Sequence, residues 1–139
     1  MTRYIDQMLY MELVLMQEEP GVPVLTRLRY DAHDPFAVSM VFHTDVNGPV
    51  SWSFARDLLA HGVLRPSGQG DVRTWPTGEG ADALLNLALS SPHGAARLTA
   101  PLAVVTRWLD STYRLVPMGQ ETDGLEFDDE LSRLLHGAA

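Results

Sequence analysis

Over residues 8–54, apolar and polar side chains alternate with the two-residue period of β-strands. The first run is apolar on both alternating faces, which is typical of a strand that is covered on both sides, while its periodicity alone also allows a helix. The next three runs carry apolar side chains at every second position, and segments rich in Pro, Gly, Asn and Asp separate all four. We therefore predict a four-stranded meander with strands at residues 10–16, 24–30, 37–43 and 50–54.

Two features of these strands carry further predictions. Val50, Trp52 and Phe54 share one face of the fourth strand, so we expect Trp52 to lie in the core. Its replacement by Ala would then cost about 3–5 kcal/mol of stability. The second apolar face of the first strand needs cover from a helix or from a neighbouring subunit, which predicts a homo-oligomer.

A short helix and three more strands are predicted next. Residues 55–61 have helical character, and Gly62 stands where a glycine with positive φ ends many helices. Gly68 and Gly70 allow a tight turn before the following strand. The three strands are expected at residues 71–75, 83–89 and 95–100. The second of them is rich in Leu and Ala, but its short length and flanking turns favour a strand.

Two more helices complete the pattern. Pro101 stands at the start of the main helix, where proline is favoured, and Pro117 ends that helix. Its apolar face is formed by Val105, Trp108, Leu109 and Thr112. A last short helix begins at Asp128 or Asp129 and directs three leucines inward, namely Leu131, Leu134 and Leu135. The order ββββ-α-βββ-α-α predicts an α+β fold in a single domain, residues 1–139.

Composition restricts the chemistry that is open to the chain. Its 139 residues suffice for one domain with a core, and the lack of cysteine excludes disulfides, thiolate catalysis and Cys-based zinc sites. No apolar run approaches the roughly 20 residues that cross a membrane. Asp6 and Gln7 interrupt the segment where a signal peptide would be apolar, so we expect a cytoplasmic protein.

The charge is strongly acidic, with 18 acids, 10 bases and a net charge of −8. Every base is an arginine, and the overall acidity argues against non-specific binding to nucleic acid or anionic lipid. Residues 117–130 contain six acids and no base, which predicts either a solvated tail or a docking segment for a basic partner. The docking alternative makes three acids candidate partner-binding residues: Glu121, Asp123 and Glu126.

The sequence predicts no catalytic residue, metal ligand or cofactor site. No two histidines are spaced as a metal-binding pair on a helix or strand. Ser90, Ser91 and His93 lie in a predicted turn rather than in a nucleophile elbow. The Gly-rich segment 78–83 precedes a predicted strand instead of the helix that a phosphate-binding loop requires.

Binding of single-stranded nucleic acid is an alternative function. Arginines and aromatic residues that alternate on a curved sheet can hold a strand by charge and base stacking. The same alternation is typical of the solvent face of a half-buried sheet. The residues concerned are Arg27, Arg29, Arg65, Arg73 and Arg97, with Tyr30, Trp52 and Trp75.

Four stretches together resemble one protein family. They are LRYDAHDPFAVSMVFHT (28–44), FARDLLAHGVLRPSGQGDVRTWP (54–76), LALSSPHGAARLTAP (87–101) and FDDELSRLL (127–135). In combination they resemble the SsgA-like proteins of actinomycetes, which regulate sporulation and cell division. Residues 54–76 and the LALSSP stretch are similar to the SsgB type, whereas residues 116–121 are more similar to the SsgA type and others.

The resemblance implies both a fold and a function. The implied fold has two antiparallel sheets of seven or eight strands with segregated helices, is similar to the whirly single-strand-binding proteins, and assembles as a trimer. The implied function is that of a non-enzymatic adaptor without a cofactor, which positions septa by recruiting the tubulin-like division protein FtsZ. Its implied location is the cell septum, with other SsgA-like proteins as further partners and with membrane association only through partners.

The most specific motif supplies further candidate partner-binding residues. Gly68 and Gly70 shape its turn, and Trp75 before Pro76 is a large side chain at a predicted strand end. Its arginines are placed to pair with Asp57 or Asp71. The motif therefore either shapes the fold or exposes a docking surface, and in the second case the residues involved are Arg65, Asp71, Arg73 and Trp75.

Overall fold

The computed structural model describes residues 3–15, 20–44 and 48–122. In this part of the chain, seven antiparallel strands and two α-helices follow one another in the predicted order ββββ-α-βββ-α, which confirms the α+β class. The helices are α1 (Arg56–Gly62) and α2 (Leu102–Leu115). The strands are β1 (Tyr4–Leu13), β2 (Val22–Asp31), β3 (Ala37–Thr44), β4 (Gly48–Ala55), β5 (Val72–Thr77), β6 (Leu84–Ser91) and β7 (Gly94–Pro101). The predicted last helix lies outside the described residues, as do Asp123 and Glu126.

The strands form one sheet in the order β4-β3-β2-β1-β7-β6-β5, and the predicted meander of the first four strands is confirmed. The expected division into two sheets is corrected, because the seven strands form one sheet. The two groups of strands are joined where the end of β1 pairs with β7, with Glu12 opposite Thr99 and Leu13 opposite Leu98. We name this short pairing the β1–β7 seam. It joins a four-stranded half, β1–β4, to a three-stranded half, β5–β7.

The core lies on the inner face of the sheet, where α2 packs against β1, β6 and β7. The side chains of β2 and β3 that the alternating pattern predicts to be buried are buried in the structure, and so is the predicted apolar face of α2. The indole N–H of Trp108 donates a hydrogen bond to the Ile5 carbonyl at 3.3 Å, which fixes α2 against β1. The buried residues predicted in these elements are Val24, Thr26, Leu28, Tyr30, Val38, Met40, Phe42, Val105, Trp108, Leu109 and Thr112.

Some predicted boundaries shift because sheet position, rather than local pattern, sets them. β1 begins at Tyr4, well before the predicted residue 10, since its polar Asp6 faces outward and pairs with arginines of β2. β5 continues through Pro76 to Thr77. Proline is tolerated there because β5 is an edge strand, where a missing N–H breaks no ladder hydrogen bond.

Gly62 has a different role from the predicted one. It is the last residue of α1, and it is not among the glycines with positive φ. A Cβ at this position would overlap the side chain of Thr74 on β5. Glycine is therefore required by the close packing of α1 on the sheet rather than by the backbone conformation.

The prediction that Trp52 lies in the core is confirmed only in part, because Trp52 packs against the core from the edge of the sheet. β4 is the other edge strand of the sheet, with β3 as its single neighbour. Trp52 and Phe54 are only partly buried, and Val50 is 41% exposed. Together with side chains of β1–β3, β6 and β7, Trp52 lines an open apolar groove of about 460 Å³ on the inner face.

Candidate functional site

The predicted motif forms the edge of the sheet at β5. After α1 the chain turns back, and Ser67 pairs with Thr74 through two backbone hydrogen bonds of 2.8 and 2.9 Å. The turn uses Gly68 and Gly70, whose φ angles of +92° and +91° favour glycine as predicted. The motif thus covers part of an edge strand that would otherwise present open backbone groups.

The candidate residues of the motif are separated by the fold. Arg65 and Asp71 are exposed in the loop, whereas Arg73 and Trp75 lie two positions apart on β5 and share its outer face. The predicted pairing of Arg65 and Arg73 with Asp57 or Asp71 is not found among the ion pairs of the described residues. Arg73 and Trp75 are therefore the two motif residues that the fold brings together.

Neighbouring strands complete this surface with residues that the motif does not contain. Arg97 on β7 places its Cζ atom 5.7 Å from the centroid of the Trp75 ring. Its Nη2 donates to Oδ1 of Asn86 on β6 at 3.3 Å. Asn86 is buried, and its Nδ2 donates to the Trp75 carbonyl at 3.2 Å and to Oγ1 of Thr77 at 3.0 Å. We name the set Arg73, Trp75, Asn86, Ala88 and Arg97 the Trp75 surface.

The Trp75 surface lies between two shallow hollows. One, of about 550 Å³, is bounded by residues 13–15 at the end of β1 and by small side chains of β6 and β7. The other, of about 360 Å³, is bounded by residues 66–69 of the motif loop. Arg73 and Trp75 line both hollows and form the ridge between them.

The arginines considered for nucleic-acid binding do not form one continuous face. Arg27 and Arg29 lie on β2, and both pair with Asp6 at 3.4 and 3.9 Å. Tyr30 is fully buried, and its hydroxyl donates to the Pro35 carbonyl at 2.9 Å. Tyr30 therefore has no exposed ring on which a base could stack, which corrects the proposed stacking set.

A second cluster of side chains, which the sequence patterns did not indicate, surrounds Arg56 at the start of α1. Arg56 is 1% exposed and lies between two tyrosine rings, with Cζ 4.7 Å from the centroid of Tyr30 and 4.0 Å from that of Tyr113. Its Nη1 donates to the Thr112 and Val116 carbonyls at 3.1 and 2.9 Å. These carbonyls lie at the end of α2, so the guanidinium caps that helix.

Glu121 completes this arrangement, which we name the Arg56 cluster: Arg56, Tyr30, Tyr113 and Glu121. Arg56 Nη2 lies 3.2 Å from Glu121 Oε1, and the Glu121 side chain is only 11% exposed. Hydrogen bonds from its own amide and then from Arg56 and the Gly119 amide lower the pKa of Glu121, against the opposing effect of burial. Glu121 therefore packs against the body of the domain, and it fits neither of the two alternatives for residues 117–130, a solvated tail or an exposed docking segment.

Burial governs the pKa values of the two tyrosines in this cluster. It raises the pKa of Tyr30 from 10.0 to about 12, although the nearby Arg56 cation opposes the shift. It also raises the pKa of Tyr113, whose hydroxyl has no hydrogen-bond partner among the described residues. The cluster is thus a buried cation held by two neutral rings, two carbonyls and one carboxylate.

Two further observations concern the described ranges alone. Within residues 3–15, 20–44 and 48–122, no three His, Asp or Glu side chains group as metal ligands would. In the same part of the chain, no helix has the length and apolar character needed to span a membrane.

Comparison with known proteins gives consistent matches over most of the chain. The model of the family described as "Streptomyces sporulation and cell division protein, SsgA" matches residues 24–121. The sporulation-specific cell division protein SsgB of Thermobifida fusca is 43% identical over 125 residues, covering 90% of each chain. SsgB of Streptomyces coelicolor is 45% identical over 127 residues, covering 91% of this chain and 92% of its own.

Solved structures match as well. The crystal structure of an SsgA-like sporulation-specific cell division protein from Thermobifida fusca superposes with a TM-score of 0.82 at 42% identity, covering 94% of each chain. A structure from work on SsgB mutations and longitudinal cell division in Streptomyces coelicolor gives a TM-score of 0.81 at 43% identity. That match covers 86% of this chain and 94% of the other.

Proposed function

Because this chain belongs to the SsgA family of sporulation and cell division proteins and is similar to its SsgB type, we propose that it acts as an adaptor at the septum. In this role it binds the division protein FtsZ and other SsgA-like proteins, and it catalyses no reaction. Septa are positioned because the adaptor concentrates FtsZ at the division site. Membrane contact is indirect, through the partners.

The observation that carries this proposal is the Trp75 surface. It combines an aromatic ring with two arginines, and such residues are enriched at protein interfaces. It includes part of the motif by which the chain most clearly resembles its family. An adaptor needs an exposed recognition surface of this kind, whereas an enzyme needs reactive groups gathered in a pocket.

Association with purified FtsZ tests the proposal. The chain would be immobilised and FtsZ added over a concentration series at low and at physiological salt. We expect saturable binding that weakens with salt, since charged groups at an interface rim act mainly on the association rate. An unrelated protein of similar net charge serves as the control. Absence of saturable binding at both salt concentrations would refute the proposed role.

We also propose that the chain forms a homo-oligomer, a trimer of whirly-like architecture. Tyr4, Met8 and Tyr10 lie on the outer face of β1 and are 50%, 43% and 66% exposed. Asp6 lies between Tyr4 and Met8 on this face but is paired with Arg27 and Arg29, and the exposed apolar side chains beside it favour an interface between copies. Light scattering at micromolar concentration measures the mass, and a particle of 15.4 kDa would contradict the proposal. Met8→Lys with Tyr10→Lys is expected to yield that monomer.

A further inference from the structure

We infer that the Trp75 surface binds a short acidic segment of a partner protein. The carboxylates of that segment contact Arg73 and Arg97, and an apolar side chain of the same segment lies against Trp75. The inference rests on the proposed function in one respect, that the partner is a protein. It adds the chemistry of the segment that is recognised.

The strand register places the two arginines on either side of a small residue. Arg73 of β5 lies opposite Ala88 of β6, and Ala88 lies opposite Arg97 of β7, so the three share one row on the outer face. Across two strand spacings, their backbones are about 10 Å apart. The methyl group of Ala88 leaves a trough between the two long side chains. Carboxylates two positions apart on an extended segment share one face and lie about 7 Å apart, a separation that the two long arginine side chains can reach across this trough.

The guanidinium of Arg97 is held in place before any partner arrives. Arg97 Nη2 donates a hydrogen bond to Oδ1 of the buried Asn86, and the Trp75 ring lies beside the guanidinium. A guanidinium has five N–H donors, so others are free to bind a carboxylate. Because the side chain is already oriented, binding costs less conformational entropy than it would for a mobile arginine.

The local charge is opposite to that of the whole chain. Neither Arg73 nor Arg97 has an ion-pair partner among the described residues, although the protein carries a net charge of −8. Two acids lie near them in the register: Asp71, which stands two positions before Arg73 and whose carbonyl accepts from the Ser90 amide, and Glu12 of β1, opposite Thr99 in the row next to Arg97. Two cations without partners on an acidic protein are complementary to an acidic ligand.

The hollow beside the ridge adds an apolar component. It is lined by Ala88, Ala95 and Ala96 and by a wall of residues 13–15. Leu15 in that wall is 62% exposed. A purely anionic ligand would leave this wall unused, whereas a peptide with both acidic and apolar side chains would cover it.

A protein segment suits this surface better than a nucleic-acid strand does. A strand without sequence preference needs a basic groove that follows its backbone over several nucleotides. Here Arg73 and Arg97 form a pair on β5 and β7, and Arg27 and Arg29 on the other half of the sheet are already paired with Asp6. The surface thus matches two or three carboxylates rather than a long row of phosphates.

Fluorescence anisotropy with short labelled probes tests the inference. The probes are a peptide with Glu, Glu and Leu at successive alternate positions and Ser between them, the corresponding peptide with Gln in place of Glu, and an oligothymidylate of equal length. The test variant is Arg73→Gln with Arg97→Gln. The control is Arg107→Gln with Arg114→Gln, two exposed arginines of α2 whose replacement changes the net charge equally. Thermal unfolding verifies that both variants fold.

We expect the acidic peptide to bind wild type and control alike and to bind the test variant at least about tenfold more weakly, since two charge-assisted hydrogen-bonding groups are lost. The Gln peptide should bind weakly to all three proteins. If the test and control variants lose the same affinity for the acidic peptide, the loss is explained by net charge alone and the inference is overturned. Binding of the oligothymidylate in preference to the acidic peptide would also overturn it.

The same variants separate this inference from the proposed function. If FtsZ binds wild type and the test variant equally, the adaptor role stands and the assignment of the Trp75 surface fails. If the acidic peptide requires Arg73 and Arg97 but FtsZ does not bind wild type, the surface assignment stands and the FtsZ role fails.

Discussion

Replacement of Arg56 by Met should cost about 3–5 kcal/mol of unfolding free energy, a large part of the roughly 5–15 kcal/mol that stabilises a typical domain. Met fills a similar volume but removes the cation from between Tyr30 and Tyr113. It also leaves the Thr112 and Val116 carbonyls without the hydrogen bonds that Arg56 donates at 3.1 and 2.9 Å.

The magnitude follows from the separate contacts. Each hydrogen bond from a charged donor contributes about 1.5–3 kcal/mol, and each desolvated cation–π contact contributes about 2 kcal/mol. The cost of removing the guanidinium from water offsets much of this sum, which is why the expected loss is only 3–5 kcal/mol. Arg56→Lys keeps the charge but not the planar fork or the stacking on two rings, so its loss should be intermediate.

Glu121→Gln provides the matched comparison at the other end of the ion pair. Gln keeps an oxygen that can accept from Arg56, and the side chain lies near enough to solvent to adjust. We expect a cost of about 1 kcal/mol. Glu121→Arg, in contrast, would bring a second cation to a buried one and should destabilise the fold, whereas a solvated tail would tolerate this reversal.

Urea unfolding at neutral pH, followed by far-UV circular dichroism, measures these differences. The slope of unfolding free energy against urea concentration should be the same for wild type and variants, so that differences in midpoint measure differences in stability. Two results would refute the reasoning. One is a loss below about 1 kcal/mol for Arg56→Met, which is the range of exposed ion pairs. The other is an equal loss for Glu121→Gln and Arg56→Met, which would assign the whole effect to the ion pair.

Three further predictions follow from burial and packing. Trp108→Ala should cost about 3–5 kcal/mol because Trp108 is buried, whereas Trp52→Ala at the sheet edge should cost about 1–2 kcal/mol; equal losses in urea unfolding would contradict this order. Gly62→Ala should lower the melting temperature by several degrees because its Cβ overlaps Thr74, and an unchanged melting temperature would refute that contact. Because the pKa of Tyr30 is raised to about 12, the folded protein keeps a proton that the unfolded chain loses near pH 10. Stability should therefore fall as pH rises from 10 to 12, and urea midpoints should fall less steeply in Tyr30→Phe.

The sequence predicts burial correctly where a single short segment decides which side chains face the core. Along β2, two-residue alternation alone identifies Leu28 and Tyr30 as buried, since successive side chains point to opposite faces. The same reasoning could not place Trp52, because alternation assigns a face but not the number of neighbouring strands. Strand order depends on pairings between distant segments, and β4 proved to be an edge.

Arg56 could not be predicted from charge, since its hydrogen-bond partners lie 56 to 65 positions away in the chain. One local signal was present. Arg56, Leu59 and Gly62 are spaced by three, so they share one face of α1, and all three are buried. An arginine on the apolar face of a helix indicates a buried cation with partners elsewhere, and the tyrosines that stack on it were available in the sequence.

The β1–β7 seam has a consequence for the order in which the chain folds. All strand pairings within either half join strands that follow each other, whereas the seam joins Glu12 to Thr99 across most of the chain. Closing so long a loop costs entropy before any contact is gained, so we expect the two halves to form first and the seam last. Amide hydrogen exchange of the native protein should then show the seam opening more readily than the ladder between β2 and β3. In that case, the two halves separate as cooperative units while each keeps its own strands.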